Sequence, residues 1–215
     1  IEQLKERIGS LAGKMGKEKP IVGDLLEAGD HVVLVTPIDT SAPKGRMILP
    51  QVKVIRDILD AHGTLSVTQT GELPALLSSF KERPRLVITD SQAFECVKQM
   101  VPKDIPLTSF SILFARYKGV LAGAVQGAAA LDRLKEGDRI LISEGCTHHR
   151  QCEDIGTVKL PGWIEKHTGK RFVYEFTSGG GFPEELSGYA LVVHCGGCML
   201  NEREVRSRER MAAES

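Results

Sequence analysis

The run His-Val-Val-Leu-Val-Thr-Pro-Ile at 31–38, set off by Ala28-Gly29-Asp30, is apolar and β-branched. A strand apolar on both sides must be covered on both sides. That is the condition of a central strand in a parallel sheet. The next segment fits it. Pro50 opens a stretch with Val52, Ile55, Ile58 and Leu59 at helical spacing, and Gly63 closes it. The alternation continues with a strand at 64–69, a helix at 73–80, a strand at 85–89 and a helix through Met100 capped by Asp90 or Ser91. A fourth strand is expected at 107–116. Strands alternating with helices make βαβ units and a mostly parallel sheet.

A second unit opens near Tyr117. A helix is expected at 119–134, with Gly119, Gly123 and Gly127 in one row against which another backbone can pack. Strands are expected at 138–143, 171–177 and 189–193, with a helix around 162–167 and a turn at Gly179-Gly180-Gly181. A charged, solvated helix runs from about 200 to the end. The fold class is therefore α/β, with two small domains, each a mostly parallel sheet flanked by helices. The expected boundaries are a linker at 1–19, a first domain at 20–116 and a second at 117–215.

Lys+Arg and Asp+Glu balance at 28 each, so no global field draws the chain to nucleic acid or an anionic membrane. The longest apolar stretch, 119–131, is broken by Gln126 and is shorter than the roughly 20 residues a bilayer span needs. No charged-then-apolar leader is seen. With five cysteines in 215 residues, a metal or redox site in a reducing cytoplasm is the expectation, not a disulfide framework.

The cysteines cluster. Cys146-Thr147-His148-His149 and His194-Cys195-Gly196-Gly197-Cys198 read together as C-x-H, 45 residues, then H-C-x-x-C. Each group follows an expected strand. If those strands are parallel neighbours, both loops open at one carboxyl edge and their sulfurs can share a pocket. Gly196 and Gly197 let the second loop bend, and Cys198 is expected to open the last helix. Three thiolates, Cys146, Cys195 and Cys198, suit an iron–sulfur cluster with one open iron. Adding His148 or His194 makes a Cys₃His zinc site, and a C-x-x-C thiol oxidoreductase is a third reading. His194 also fits a half-buried histidine supporting a ligand. Glu144, Glu153 and Asp154 are candidate oxygen ligands for the open iron, with solvated loop carboxylates as the plainer reading. Cys152 reads as a spare thiol, Cys96 as a core residue, and Trp163 as packing.

These residues carry a resemblance. Cys146, His148, His194, Cys195 and Cys198, with the flanks Glu144-Gly-Cys-Thr-His-His149 and His194-Cys-Gly-Gly-Cys-Met-Leu-Asn201, resemble HydF, the maturation GTPase family of FeFe-hydrogenase. So does Thr36-Pro-Ile-Asp-Thr-Ser-Ala-Pro-Lys-Gly-Arg46. The resemblance implies a dimerisation domain at 20–116 and a cluster domain at 117–215. It implies a 4Fe–4S cluster on Cys146, Cys195 and Cys198, with His148 and His194 as accessory or alternate ligands. It implies a homodimeric scaffold that takes a di-iron precursor bearing CO and cyanide from radical-SAM maturases and delivers it to apo-hydrogenase. No G-x-x-x-x-G-K-[ST] occurs in the 215 residues. GTP binding and hydrolysis are therefore expected of a full-length parent and not of this chain, which is not expected to be an enzyme.

Overall fold

The computed structural model describes residues 19–37, 47–145, 155–197 and 200–215. Cys146, His148, His149, Cys152, Glu153, Asp154 and Cys198 lie outside the described residues. The chain builds two parallel sheets flanked by helices, the α/β architecture of two small domains.

The first sheet contains β1 (His31–Val35), β2 (Thr64–Thr68), β3 (Leu86–Thr89) and β4 (Leu107–Ser109), in the order β2-β1-β3-β4, all parallel. Its helices are α1 (Leu49–Asp60), α2 (Leu73–Ser79), α3 (Phe94–Met100) and α4 (Phe110–Tyr117). Side chains alternate across β1, and each set has its own core. Val32 and Leu34 pack with Val54 and Ile58 of α1 and Phe110, Leu113 and Phe114 of α4. Val33 and Val35 pack with Leu73 of α2 and Val97 of α3. Both faces of the sheet are thus covered, which is why the strand is apolar throughout.

Three expectations for this domain need correction. The apolar run at 107–116 is a strand only to Ser109. The Ser109 hydroxyl then accepts the Ile112 amide at 3.2 Å and caps α4. Phe110, Leu113, Phe114 and Tyr117 fall on one helical face, so a period of 3.6 replaces a period of 2. In α1, Val52 and Leu59 face outward, and Val54 and Ile58 are fully buried. Cys96 is exposed. Ala93, Val97 and Val101, spaced four apart, take the buried stripe, and Cys96 sits one position off it.

Gly119 ends α4. Its φ of +76° is left-handed. Gly119 N–H donates to Arg116 O at 2.9 Å, and Val120 N–H to Ala115 O at 3.0 Å. This pair of bonds is a Schellman motif with glycine at the left-handed position. A Cβ here would also collide with the Arg206 guanidinium. Gly119→Ala should therefore cost about 1–2 kcal/mol, the usual penalty of left-handed backbone for an L side chain. Urea unfolding followed by circular dichroism measures it.

The second sheet contains β5 (Arg139–Glu144), β6 (Val173–Ser178) and β7 (Leu191–His194), in the order β6-β5-β7, again parallel. Around it lie α5 (Leu121–Ala128), α6 (Leu160–Thr168) and α7 (Glu202–Glu214). Ile140 and Ile142 of β5 pack with Leu134 and with Ile164 of α6. Here too the structure corrects the reading. The long helix expected at 119–134 is confined to α5 and a short turn at Leu131–Arg133, because Gly119 belongs to the preceding cap. The row of small residues is covered in part by side chains of α7, Arg206 over Gly119 and Glu209 over Gly123, and not by a second backbone. Trp163 stands 47% exposed and is not core packing. The Gly179–Gly181 segment is a turn, closed by Gly181 N–H on Ser178 O at 3.1 Å. No helix among the described residues is long and apolar enough to cross a membrane.

Candidate metal centre

The site follows from one pairing. β5 and β7 are parallel neighbours, with Ser143 opposite His194, and Cys195 N–H continues the ladder to Ser143 O at 3.0 Å. Both motif loops therefore leave the same carboxyl rim. Gly145 N–H donates to Cys195 Sγ at 3.0 Å, and Gly197 N–H approaches the same sulfur at 3.4 Å. The first contact joins the two motifs, since Gly145 directly precedes Cys146. Gly145 is also where the loops touch. A Cβ on it would come within 2.9 Å of the Leu200 side chain and 3.4 Å of Gly197 Cα. Cys195 is exposed, with a free thiol.

His194 is held on both ring nitrogens. Nδ1 lies 2.6 Å from Cys195 O, and Nε2 lies 3.2 Å from Arg208 Nη1. A carbonyl only accepts and a guanidinium only donates, so the ring is neutral with its proton on Nδ1. Burial pushes its pKa below the ordinary range. The Cys195 carbonyl works the other way, and the charges of Arg208 and Lys118 add to the lowering. In this arrangement the Nε2 lone pair is spent on Arg208.

Arg208 is 4% exposed. Its Nη2 donates to Gly179 O at 2.7 Å, its Nε to Glu204 at 2.7 Å, and its guanidinium lies 4.9 Å from the Phe182 ring. Lys118, 3% exposed, reaches across from the end of α4. Its ammonium donates to Gly197 O and, at 2.8 Å, to Leu200 O. Arg206 Nε donates to Lys118 O at 2.9 Å. The last helix is thus more than a solvated tail, because its arginines hold the rim. It also begins later than expected. Asn201 caps it by accepting Glu204 N–H at 2.9 Å, so Cys198 is not its first residue.

Two hydroxyls complete the rim. Ser143 Oγ and Thr177 Oγ1, paired in register across β5 and β6, are buried with no partner among the described residues. The carboxylate of Glu144 lies against Gly156. Among the described residues no three His, Cys, Asp or Glu side chains converge to hold a metal ion, and two of the three motif cysteines fall outside that set. The donor set that is described fits a sulfur-ligated metal group. It supplies a sulfur receiving amide N–H bonds, two buried cations nearby and unused hydroxyls.

Residues 21–119 match the family model described as the hydrogen maturase F dimerization domain. Residues 122–215 match the model described as the hydrogen maturase F tetramerization domain. The chain belongs to the hydrogen maturase F family. Its role lies in hydrogenase maturation, and both of its domains are self-association modules. The two matches meet beside Lys118 and Gly119, so the joint between the modules is the place where a first-domain side chain enters the rim. Neither matching model describes a GTPase. None of the curated proteins matches the chain at a significant level.

Lys118, Arg206 and Arg208 are the site residues that sequence reasoning missed. The i,i+4 spacing of Arg206 and Arg208 to Glu202 and Glu204 suggests only a solvated helix face, while the partners at the rim lie 79, 88 and 29 positions away.

Proposed function

We propose that the second domain carries a 4Fe–4S cluster on Cys146, Cys195 and Cys198. On this reading the chain serves as scaffold and carrier for a di-iron precursor bearing CO and cyanide. It accepts that cargo from radical-SAM maturases and passes it to apo-hydrogenase, working in the reducing cytoplasm. The observation that carries this is the Gly145 N–H bond to Cys195 Sγ between parallel neighbours β5 and β7. It brings the backbone preceding Cys146 to the sulfur of the second motif.

Three thiolates leave one iron with an exchangeable position, which is the chemistry a bound cluster would supply to an incoming cyanide-bearing cargo. The chain's own residues do the rest. Amide donors from Gly145 and Gly197 hold the Cys195 sulfur in place at the rim. Lys118 and Arg208 add positive charge beside an anionic group. His194 acts by bracing the rim between Cys195 O and Arg208. To serve as a ligand through Nε2 it must first give up Arg208. His148 stays an accessory candidate on its motif position alone.

Anaerobic reconstitution with iron and sulfide tests the reading. The expected product is brown, with broad absorption near ~400 nm and an EPR signal on reduction. A colourless protein holding zinc tightly would mean an α/β interaction module stabilised by that metal. Rapid reversible Cys195–Cys198 disulfide formation without metal uptake would mean thiol redox chemistry.

A further inference from the structure

We propose that Lys118, at the end of the dimerisation module, is the positioning residue for the cysteine turn of the tetramerisation module. Its ammonium pins the carbonyls of Gly197 and Leu200, and so fixes the backbone that presents Cys195 to a metal. This rests on the proposed metal site and adds an element from outside the domain that carries it.

The carbonyls of Gly197 and Leu200 both turn toward one ammonium. Only a lysine offers several N–H donors radiating from a single point at the end of a long stem. Taking that charge out of water is costly, and a fixed set of acceptors is what offsets the cost. Lys118 has such a setting. It is 3% exposed, with its Nζ 5.7 Å from the Phe114 ring centre. Its own backbone is fixed as well, because Arg206 Nε donates to Lys118 O and α4 ends there in the Gly119 cap. A second contact shows how closely the modules approach at this turn. A Cβ on Gly196 would sit 3.2 Å from the Ser111 backbone of α4.

The consequence is a coupling. The ligands belong to one module and the clamp to the other, so the packing of the first domain against the turn governs how well the ligands are presented. Groups that orient metal ligands from outside commonly change metal affinity about 10–100-fold when removed.

The test uses the whole chain and Lys118→Met, which keeps the stem and removes the charge and donors. Co(II) is the probe, through its thiolate charge-transfer band, with iron–sulfide reconstitution and EPR alongside. Lys118→Met should bind Co(II) about tenfold or more weakly and retain correspondingly less iron, with an unchanged far-UV spectrum and oligomer size. A residue that only stabilised the fold would lower the melting temperature and leave the Co(II) affinity of the folded protein unchanged. That result overturns the proposal. If Lys118→Met does not fold, Lys118→Gln, neutral and shorter with two N–H donors, is the variant to compare and should show the same loss. Wild-type protein that takes up neither cobalt nor iron sinks the metal site itself, and the clamp with it. Wild-type uptake with unaltered variants sinks the clamp alone.

Discussion

Cys195→Ser should leave the reconstituted protein with about one-tenth or less of the wild-type iron and no cluster EPR signal, because cluster iron is held through cysteine thiolates. The described sulfur sits at the carboxyl rim where β5 and β7 end. It receives Gly145 N–H at 3.0 Å, faces Gly197 N–H at 3.4 Å, and belongs to an exposed residue. Serine keeps the shape and the amide contacts but substitutes a hard oxygen of high pKa for a soft thiolate. Cys146→Ser and Cys198→Ser should fall in the same direction. Cys96→Ser is the control. It is a free, exposed thiol in the other domain, and its loss should leave the iron content at the wild-type level. Equal loss from Cys96→Ser would mean that iron uptake follows thiols in general and not this rim. Full retention in Cys195→Ser would remove Cys195 from the ligand set.

What the residues alone disclosed about this site was its address. The run at 31–38 and the strand ends near Ser143 and Val193 were readable because a buried parallel strand needs apolar side chains on both faces. The strands place the loops, and β5 and β7 do emerge as neighbours. The misread strand at 107–116 has a plain cause. Apolar runs of similar composition suit either period, and a single polar residue decides between them. Ser109 does so for α4, and only its hydroxyl on Ile112 N–H marks the change. Cys96 was misplaced by one helical position, although the spacing of Ala93, Val97 and Val101 already drew the stripe. The cations could not be found this way. Lys118 and Arg208 look like surface charge in the chain, and burial makes them structural. Burial here is a product of contacts between distant segments, which no local pattern encodes. The pairing of His194 with Arg208 is of the same kind, since α7 must dock before the arginine reaches the ring.

The other large effect is expected far from the rim. Asp57→Ala should destabilise the first domain by about 2–4 kcal/mol, because one carboxylate there serves several buried backbone donors. Asp57 Oδ2 accepts N–H bonds from Ile21 at 2.9 Å, Val22 at 2.7 Å and Gly23 at 2.7 Å. Successive amides converging on one oxygen form an anion-binding concavity, here filled by a side chain of α1. Ile21 and Val22 are in the core beside Val32 and Leu34, so their amides cannot turn to water without withdrawing those side chains. Alanine leaves the donors orphaned and loosens the segment's hold on α1. Asparagine retains an acceptor oxygen without the charge, and should cost about half as much, in line with the weaker bonds of a neutral acceptor. The measurement is urea unfolding by far-UV circular dichroism at matched protein concentration, since self-association contributes to apparent stability. Trp163, the single tryptophan and a resident of the second domain, gives a parallel fluorescence readout. If Asp57→Ala shifts both signals together, the two modules unfold as one unit. A far-UV shift below about 0.5 kcal/mol, the range of an ordinary surface change, would show that the carboxylate is not what anchors the start of the domain, whereas a far-UV shift with an unmoved Trp163 signal would mean that the modules unfold separately.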